Sequence, residues 1–351
     1  MASIEKLGTG WIDERDSAFP QAVQLPDGDI VCSFTVGGGP GVTGGTDWAR
    51  STDGGENWNL EGTIVGPTAA ATAILKLTLS PYGNTIYAYG VRSYRNDAKE
   101  FGTGRHEPII CRSTDGGHTW TEPTVIPVPT DCGLEISHGA LPLSSGRLLA
   151  PFATLPAKRL GEQVILMISD DGGNTWPRHT VALEDPDNRF GYFEQKFAEI
   201  SPGRVIGICW TVSFGDVVDQ PDSFVLSEDA GETWSRPVST GIMGQTMTPI
   251  PLGNDRLLVL YNRRQGDQGV VMSLVSFTED TWSVHYEAVM YDPNIHYQRP
   301  DDVESGVDEF ETFMFGFPTA IRLTDGTFLA THWCKEDADF GIRWTKLSVD
   351  W

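Results

Sequence analysis

Six times along this chain a tight cluster of turn residues is followed by a short, almost unbroken apolar run. Pro26-Asp27-Gly28 precedes DIVCSF, Pro81-Tyr82-Gly83 precedes NTIYAYG, Ser145-Gly146 precedes RLLAPFA, Pro202-Gly203 precedes RVIGICW, Gly253-Asn254 precedes DRLLVLY and Asp325-Gly326 precedes TFLATHW. Runs this short, bounded by Gly, Pro and Asp and rich in branched and aromatic residues, predict strands rather than helices. They recur at intervals of about 60 residues, so the chain is predicted to repeat one hairpin-based unit, a length that suits a four-stranded blade with its loops.

A second repeat runs alongside the first. Residues 51–58 (STDGGENW), 113–120 (STDGGHTW), 169–176 (SDDGGNTW) and 227–234 (SEDAGETW) share one pattern, with an eroded fifth copy at 276–282 (SFTEDTW). The Asp of such a turn can accept hydrogen bonds from backbone N–H groups two or more residues on, and the following Gly takes a positive φ without a Cβ clash. The Trp then re-enters the next strand and can anchor the turn from below. Each unit therefore reads strand, turn, apolar strand, loop, third strand, box, fourth strand. The boxes resemble the Asp-boxes, or BNR repeats, of the sialidase superfamily, and the resemblance implies an all-β, six-bladed β-propeller. One such domain is expected to occupy residues 1–351, with residues 8–13 pairing with a last strand over 341–349 to close the ring and remove its edges.

Composition narrows the partners. With 48 acidic against 25 basic side chains the net charge is -23, which disfavours nucleic acid and anionic membrane. Cys32, Cys111, Cys132, Cys209 and Cys334 are odd in number and lack C-x-x-C spacing, so buried free thiols are expected, with no disulfide framework and no metal site. No cofactor motif is present. The amino-terminal stretch has no apolar leader-like run, and a soluble protein is expected, cytoplasmic or secreted with its signal peptide removed.

The sialidase resemblance also implies where an active centre would lie, on the axis at the face opposite the hairpin turns. There the resemblance breaks down in detail. Ala18, Trp210 and Gly269 stand where sialidases carry the arginines that grip the sialic acid carboxylate, and Phe317 stands where they carry the tyrosine nucleophile. Without charge-assisted guanidinium contacts or a nucleophilic hydroxyl, ordinary sialoside hydrolysis is not expected. Glu194 matches the glutamate that activates that tyrosine. The catalytic candidates are Glu194, His138 and Tyr192, and the substrate-binding candidates are Gln245, Arg263, Tyr261, Trp210, Arg92 and His332. Carboxyl, amide and guanidinium groups beside aromatic faces are what a sugar site requires. A partner carboxylate for Glu194 is sought at Glu336, Asp337, Asp301 or Asp302. The expected function is an exo-acting glycoside hydrolase working on a sugar other than ordinary sialosides. A polysaccharide lyase using His138, Tyr192 or Tyr261 with Arg263, and a non-catalytic glycan-binding propeller, remain as alternatives.

Overall fold

The computed structural model describes residues 2–94, 104–156, 159–215, 218–295, 313–336 and 338–351. It consists of six antiparallel sheets, five of them four-stranded and the third five-stranded. Together they form a six-bladed β-propeller. The inner strands, in chain order, are Ser17–Gln24, Ala71–Leu79, the split pair Gly133–Glu135 and Leu141–Pro142, Phe190–Ser201, Gln245–Gly253 and Phe315–Arg322. The apolar runs form the second strands: Ile30–Val36, Ile86–Tyr94, Leu148–Leu155, Arg204–Ser213, Arg256–Arg263 and Phe328–Glu336. They are buried on both faces because each blade packs against two neighbours, which is why they read as continuous rather than alternating apolar runs. The buried apolar side chains accordingly fall into clusters that sit between successive blades. The sixth blade takes its outermost strand, Ser3–Asp13, from the start of the chain, paired antiparallel with Asp339–Asp350 so that Trp11 faces Arg343.

The four boxes lie between third and fourth strands and share one hydrogen-bond scheme. In the first, Ser51 Oγ donates to Asp53 Oδ1 at 2.8 Å, and the N–H groups of Glu56 and Asn57 donate to the same oxygen at 3.1 and 3.0 Å. The N–H of Gly55 donates back to Ser51 Oγ at 2.9 Å. The two box glycines are not equivalent. Ala230 replaces the first of them in the fourth box at φ 60, whereas the second is kept in all four. A Cβ there would lie 2.7 Å from Leu149 at Gly231 and 3.0 Å from Leu329 at Gly55, so in these two boxes the second glycine lets the turn seat against the second strand of the preceding blade around the ring. The eroded fifth turn is held differently, by a 2.8 Å bond between the hydroxyls of Thr278 and Thr281.

Side chains also stitch the inner strands to one another. Gln21 Nε2 donates to Leu77 O at 2.8 Å, Thr78 Oγ1 to Ala140 O at 2.5 Å and Lys196 Nζ to Ser137 O at 2.5 Å. Thr248 Oγ1 donates to Pro318 O at 2.6 Å and Thr319 Oγ1 to Pro20 O at 3.2 Å. The remaining seam, between blades four and five, is bridged by Thr246 Oγ1 donating to Glu194 Oε2.

Among the described residues all five cysteines are free, with Cys132 alone partly exposed, and no helix is long and apolar enough to cross a membrane. Replacing Asp115 by Ala removes acceptors for Ser113 Oγ, Thr119 N and Thr119 Oγ1. Thermal denaturation should show a loss of about 1–2 kcal/mol, with ligand affinity at the axial site unchanged, since the box lies on the opposite face.

Candidate active site at the propeller axis

The residues that line the axial cavity get there by a shared backbone device. In four blades the inner strand carries a β-bulge at matching positions, seen as register breaks between Ala18 and Gln21, Phe193 and Lys196, Gln245 and Thr248, and Gly316 and Thr319. Within each break one non-glycine residue has a left-handed backbone: Phe19 (φ 55), Glu194 (φ 50), Thr246 (φ 55) and Phe317 (φ 50). A bulge re-aims a side chain, and left-handed φ at such residues is strained, most of all for a β-branched Thr. All four residues line one cavity of about 320 Å³, together with Asn262, Arg264, Phe313, Trp333, Phe340 and the loop residues Gly38, Pro40 and Gly41. Phe19 packs edge-on against Phe317 with centroids 5.4 Å apart, and Trp333 stands 5.6 Å from Phe340. The result is an aromatic wall facing one carboxyl, one amide, one hydroxyl and one guanidinium.

Glu194, partly exposed at the cavity wall, sits in a cluster of charges on the axis. Its N–H donates to Glu135 Oε2 at 3.1 Å, and Thr246 donates to its own carboxylate. Glu135 also accepts a bond from Ser137 Oγ. Beneath the pair lie two buried lysines: Lys196 Nζ is 3.4 Å from the centre of the Phe317 ring, and Lys76 Nζ donates to Ile136 O. Burial, with the neighbouring Glu135 charge adding to it, pushes the Glu194 carboxyl up to about 7, although the Thr246 hydroxyl, Arg264 and Lys196 pull the other way. Burial raises Glu135 as well. It lowers Lys76 to about 8 and Lys196 well below the usual amine range, the two amines also opposing one another at Lys196. A carboxyl that holds its proton near neutrality at the wall of a cavity is equipped to act as a general acid and, once deprotonated, as a base.

Several residues expected at this site lie elsewhere. Tyr192 is buried in the apolar cluster between blades three and four, because the bulge at Glu194 breaks the two-residue alternation that would have put both on one face. Trp210 is fully buried in the same cluster, 4.2 Å from Phe193, with Nε1 donating to Asp219 at 3.0 Å. Tyr261 is buried between blades four and five and donates to Glu287 Oε2 at 2.7 Å; Arg263 reaches the same carboxylate at 3.0 Å and turns away from the axis. Arg264, one residue further on, lines the cavity instead, and its Nε donates to Gln245 Oε1 at 3.1 Å, so Gln245 acts behind the wall. Arg92 lies 3.8 Å from Glu107 on its own blade. His138 does reach the axis, but at a second opening of about 570 Å³ on the opposite face. Burial and the two lysines hold its imidazole neutral, at about 3, with Nδ1 2.7 Å from Gly139 O. His332 lines a separate crevice of about 500 Å³ between blades five and six, beside Glu336, which is paired through both oxygens with Arg343. Asp301, Asp302 and Asp337 lie outside the described residues.

Glu135, Lys76, Thr246 and Asn262 are the residues that sequence reasoning passed over, while Arg264 lay beside Arg263 in the loop expected to reach the axis. A lone Lys inside the apolar run AILKLTL was the available signal for Lys76. No metal-binding group of His, Cys, Asp and Glu occurs among the described residues.

The fold and site define a six-bladed propeller with a carboxyl-bearing axial cavity, and comparison with known proteins adds a sequence relationship. No protein-family model matches the chain. It is 28% identical over 216 residues to a sialidase of Micromonospora viridifaciens, a match covering 53% of this chain and 31% of that relative's length. A protein of unknown function from Dyadobacter fermentans superposes with a TM-score of 0.76 at 20% identity, covering 99% of both chains. An α-L-arabinanase from Penicillium chrysogenum, solved with arabinobiose, superposes with a TM-score of 0.62 at 15% identity and 98% coverage of both. The chain is thus similar over part of its length to a sialidase, and its fold is one that solved sialidases share.

The Glu194 environment carries a pH signature. Its folded-state carboxyl keeps a proton up to about 7, against an ordinary value of 4.5, so the folded state binds more protons than the unfolded one in that window. Stability from this group is lost as pH rises from about 4.5 through 7. Glu194→Gln mimics the protonated form, so its melting temperature should gain on the wild type between pH 4.5 and pH 8; a constant difference across that range would contradict the assigned environment.

Proposed function

We propose that the protein is an exo-acting glycoside hydrolase that removes a small, neutral terminal sugar, with Glu194 as general acid and base. The observation that carries this reading is a proton-holding carboxyl on a strained bulge facing an aromatic-lined axial cavity of single-sugar size. Aromatic faces take the C–H faces of a pyranose or furanose ring, and the Thr246, Asn262 and Arg264 groups take its hydroxyls. Glu135 lies behind Glu194 as a second carboxyl whose charge adds to burial in raising the first. The likeness to a sialidase and to an arabinanase supports glycosidic chemistry as the class. Among the described residues a sialic acid carboxylate meets no arginine triad: Ala18 and Trp210 are buried, Gly269 packs on Tyr291 O, and Arg264, the cation among the described residues lining the cavity, is flattened over Phe313 at 3.8 Å. The lyase reading is less favoured, because His138 lies at the opposite opening, Tyr192 is buried between blades three and four, and Tyr261 and Arg263 meet each other at Glu287 away from the axial cavity.

A screen of aryl glycosides of neutral sugars, including α-L-arabinofuranosides, tests the proposal. One of them should be turned over, and Glu194→Gln should lower kcat about a hundredfold or more while the fold persists. Turnover should fall above pH 7 as Glu194 loses its proton, and Thr246→Val should move that fall to higher pH by removing a hydroxyl that stabilises the carboxylate. Glycan binding without turnover by any substrate would identify a binding module instead.

A fluorogenic sialoside should be left intact. Robust sialic acid release, abolished in Glu194→Gln, would mean that another cation supplies the missing carboxylate contacts.

A further inference from the structure

We infer that the glycine-rich loop of blade one, residues 37–45 (GGGPGVTGG), is the specificity wall of the axial cavity: clamped onto Phe340 through Asp16, it closes the cavity on the side of blades one and six and restricts it to the terminal unit of a glycan. This rests on the reading of the cavity as a glycosidase site. The loop joins Ile30–Val36 to Thr46–Ser51 at the cavity face, and six of its nine residues are glycine. So many glycines favour mobility, yet this loop is tied down. Gly37, Gly38 and Gly39 are successively left-handed at φ 78, 80 and 51, an arrangement that can turn neighbouring N–H groups toward one anionic group. Asp16 fills that role. Its Oδ2 accepts from Gly38 N at 2.7 Å, its backbone oxygen from Gly39 N at 3.0 Å, and its Oδ1 from Phe340 N at 3.4 Å.

One carboxylate thus joins blade one to blade six across the mouth of the site. The fit is close. A Cβ on Gly39 would stand 2.3 Å from the Phe340 ring, so the loop backbone lies directly on that ring. Gly38, Pro40 and Gly41 then line the cavity beside Phe340 and Trp333. A cleft that cuts within chains must be open at both ends, and this wall blocks one of them.

Three variants test the wall: Asp16→Ala releases both anchors, Phe340→Ala removes the ring, and Gly39→Ala forces the two apart. The probes are arabinobiose and arabinobiose O-methylated on its non-reducing unit, together with the aryl glycoside turned over fastest in the screen. Wild-type protein should cleave the free end and leave the blocked disaccharide. Asp16→Ala and Phe340→Ala should raise KM for the terminal sugar tenfold or more, hold kcat within a few-fold, and cleave the blocked disaccharide. Gly39→Ala should be harmful alone and less so together with Phe340→Ala, where only the left-handed φ of 51 still opposes it. Folded variants with unchanged KM and unchanged discrimination would overturn the inference while leaving the glycosidase reading intact. If wild type turns over nothing, that reading fails, and the wall is judged by titrating tryptophan fluorescence with L-arabinose, D-xylose and D-galactose. Wild-type binding of a free sugar, weakened tenfold in Asp16→Ala and Phe340→Ala, supports the wall; no saturable response, or one that the variants leave unchanged, overturns it.

Discussion

An inner propeller strand has one edge paired within its blade and the other facing the axis, where no further strand can pair with it. Those edge carbonyls must find donors or carry the cost of buried unsatisfied groups. Here the donors come from neighbouring blades. Gln21, Thr78, Lys196, Thr248 and Thr319 each reach a carbonyl of an adjacent inner strand, so most of the ring is sewn by side chain to backbone bonds. Between blades four and five the acceptor is the Glu194 carboxylate instead. The candidate catalytic group therefore occupies a place in the fabric of the ring, and its geometry is set by the closure that sets the fold.

The same arrangement explains why charges tolerate the axis. Glu135 and Glu194, each partly exposed, face the buried Lys76 and Lys196, and every one of the four is pushed toward its neutral form by loss of solvation. Each lysine also donates to a carbonyl, so neither depends on a carboxylate alone. Proton exchange within such a set changes little net charge, which favours a carboxyl that titrates near neutrality over one locked in either form. His138, close to both lysines, is likewise held neutral, by burial first and by their charge in addition.

The propeller was legible because its signals are local. A double glycine after Asp, a Trp at a fixed offset and an apolar run after a turn each report on a few consecutive residues, and the ring repeats them. The site was legible only in part. Glu194 was found through its match to a known motif, whereas Tyr192 and Arg263 were expected at the axis because they stand where an inner strand begins and a second strand ends; position in the strand does not fix which way a side chain turns, and Tyr192 turns into the cluster between blades while Arg263 turns to Glu287. Gln245 and Arg264 illustrate the same limit: the cavity is lined by Arg264, and Gln245 only holds it. Glu135 escaped notice because the inner strand of blade three is split, with Leu141–Pro142 resuming after a gap, so no regular pattern surrounds it.

The distribution of bulges accounts for the shape of the site. Blade two pairs its inner and second strands without a register break, blade three interrupts its inner strand, and the other four each turn one left-handed residue toward the axis. Two of these, Phe19 and Phe317, are aromatic and adjacent around the ring, and two, Glu194 and Thr246, are polar and adjacent. The cavity consequently has an aromatic side and a reactive side, fixed by which residue type sits at the one strained position of each blade. Such positions cost about 1–3 kcal/mol apiece, so the packing of the blades must over-determine them. Exchanging residues there alters the chemistry while the ring is kept, and a site with no tyrosine among its described lining residues can in this way stand on a sialidase-like frame.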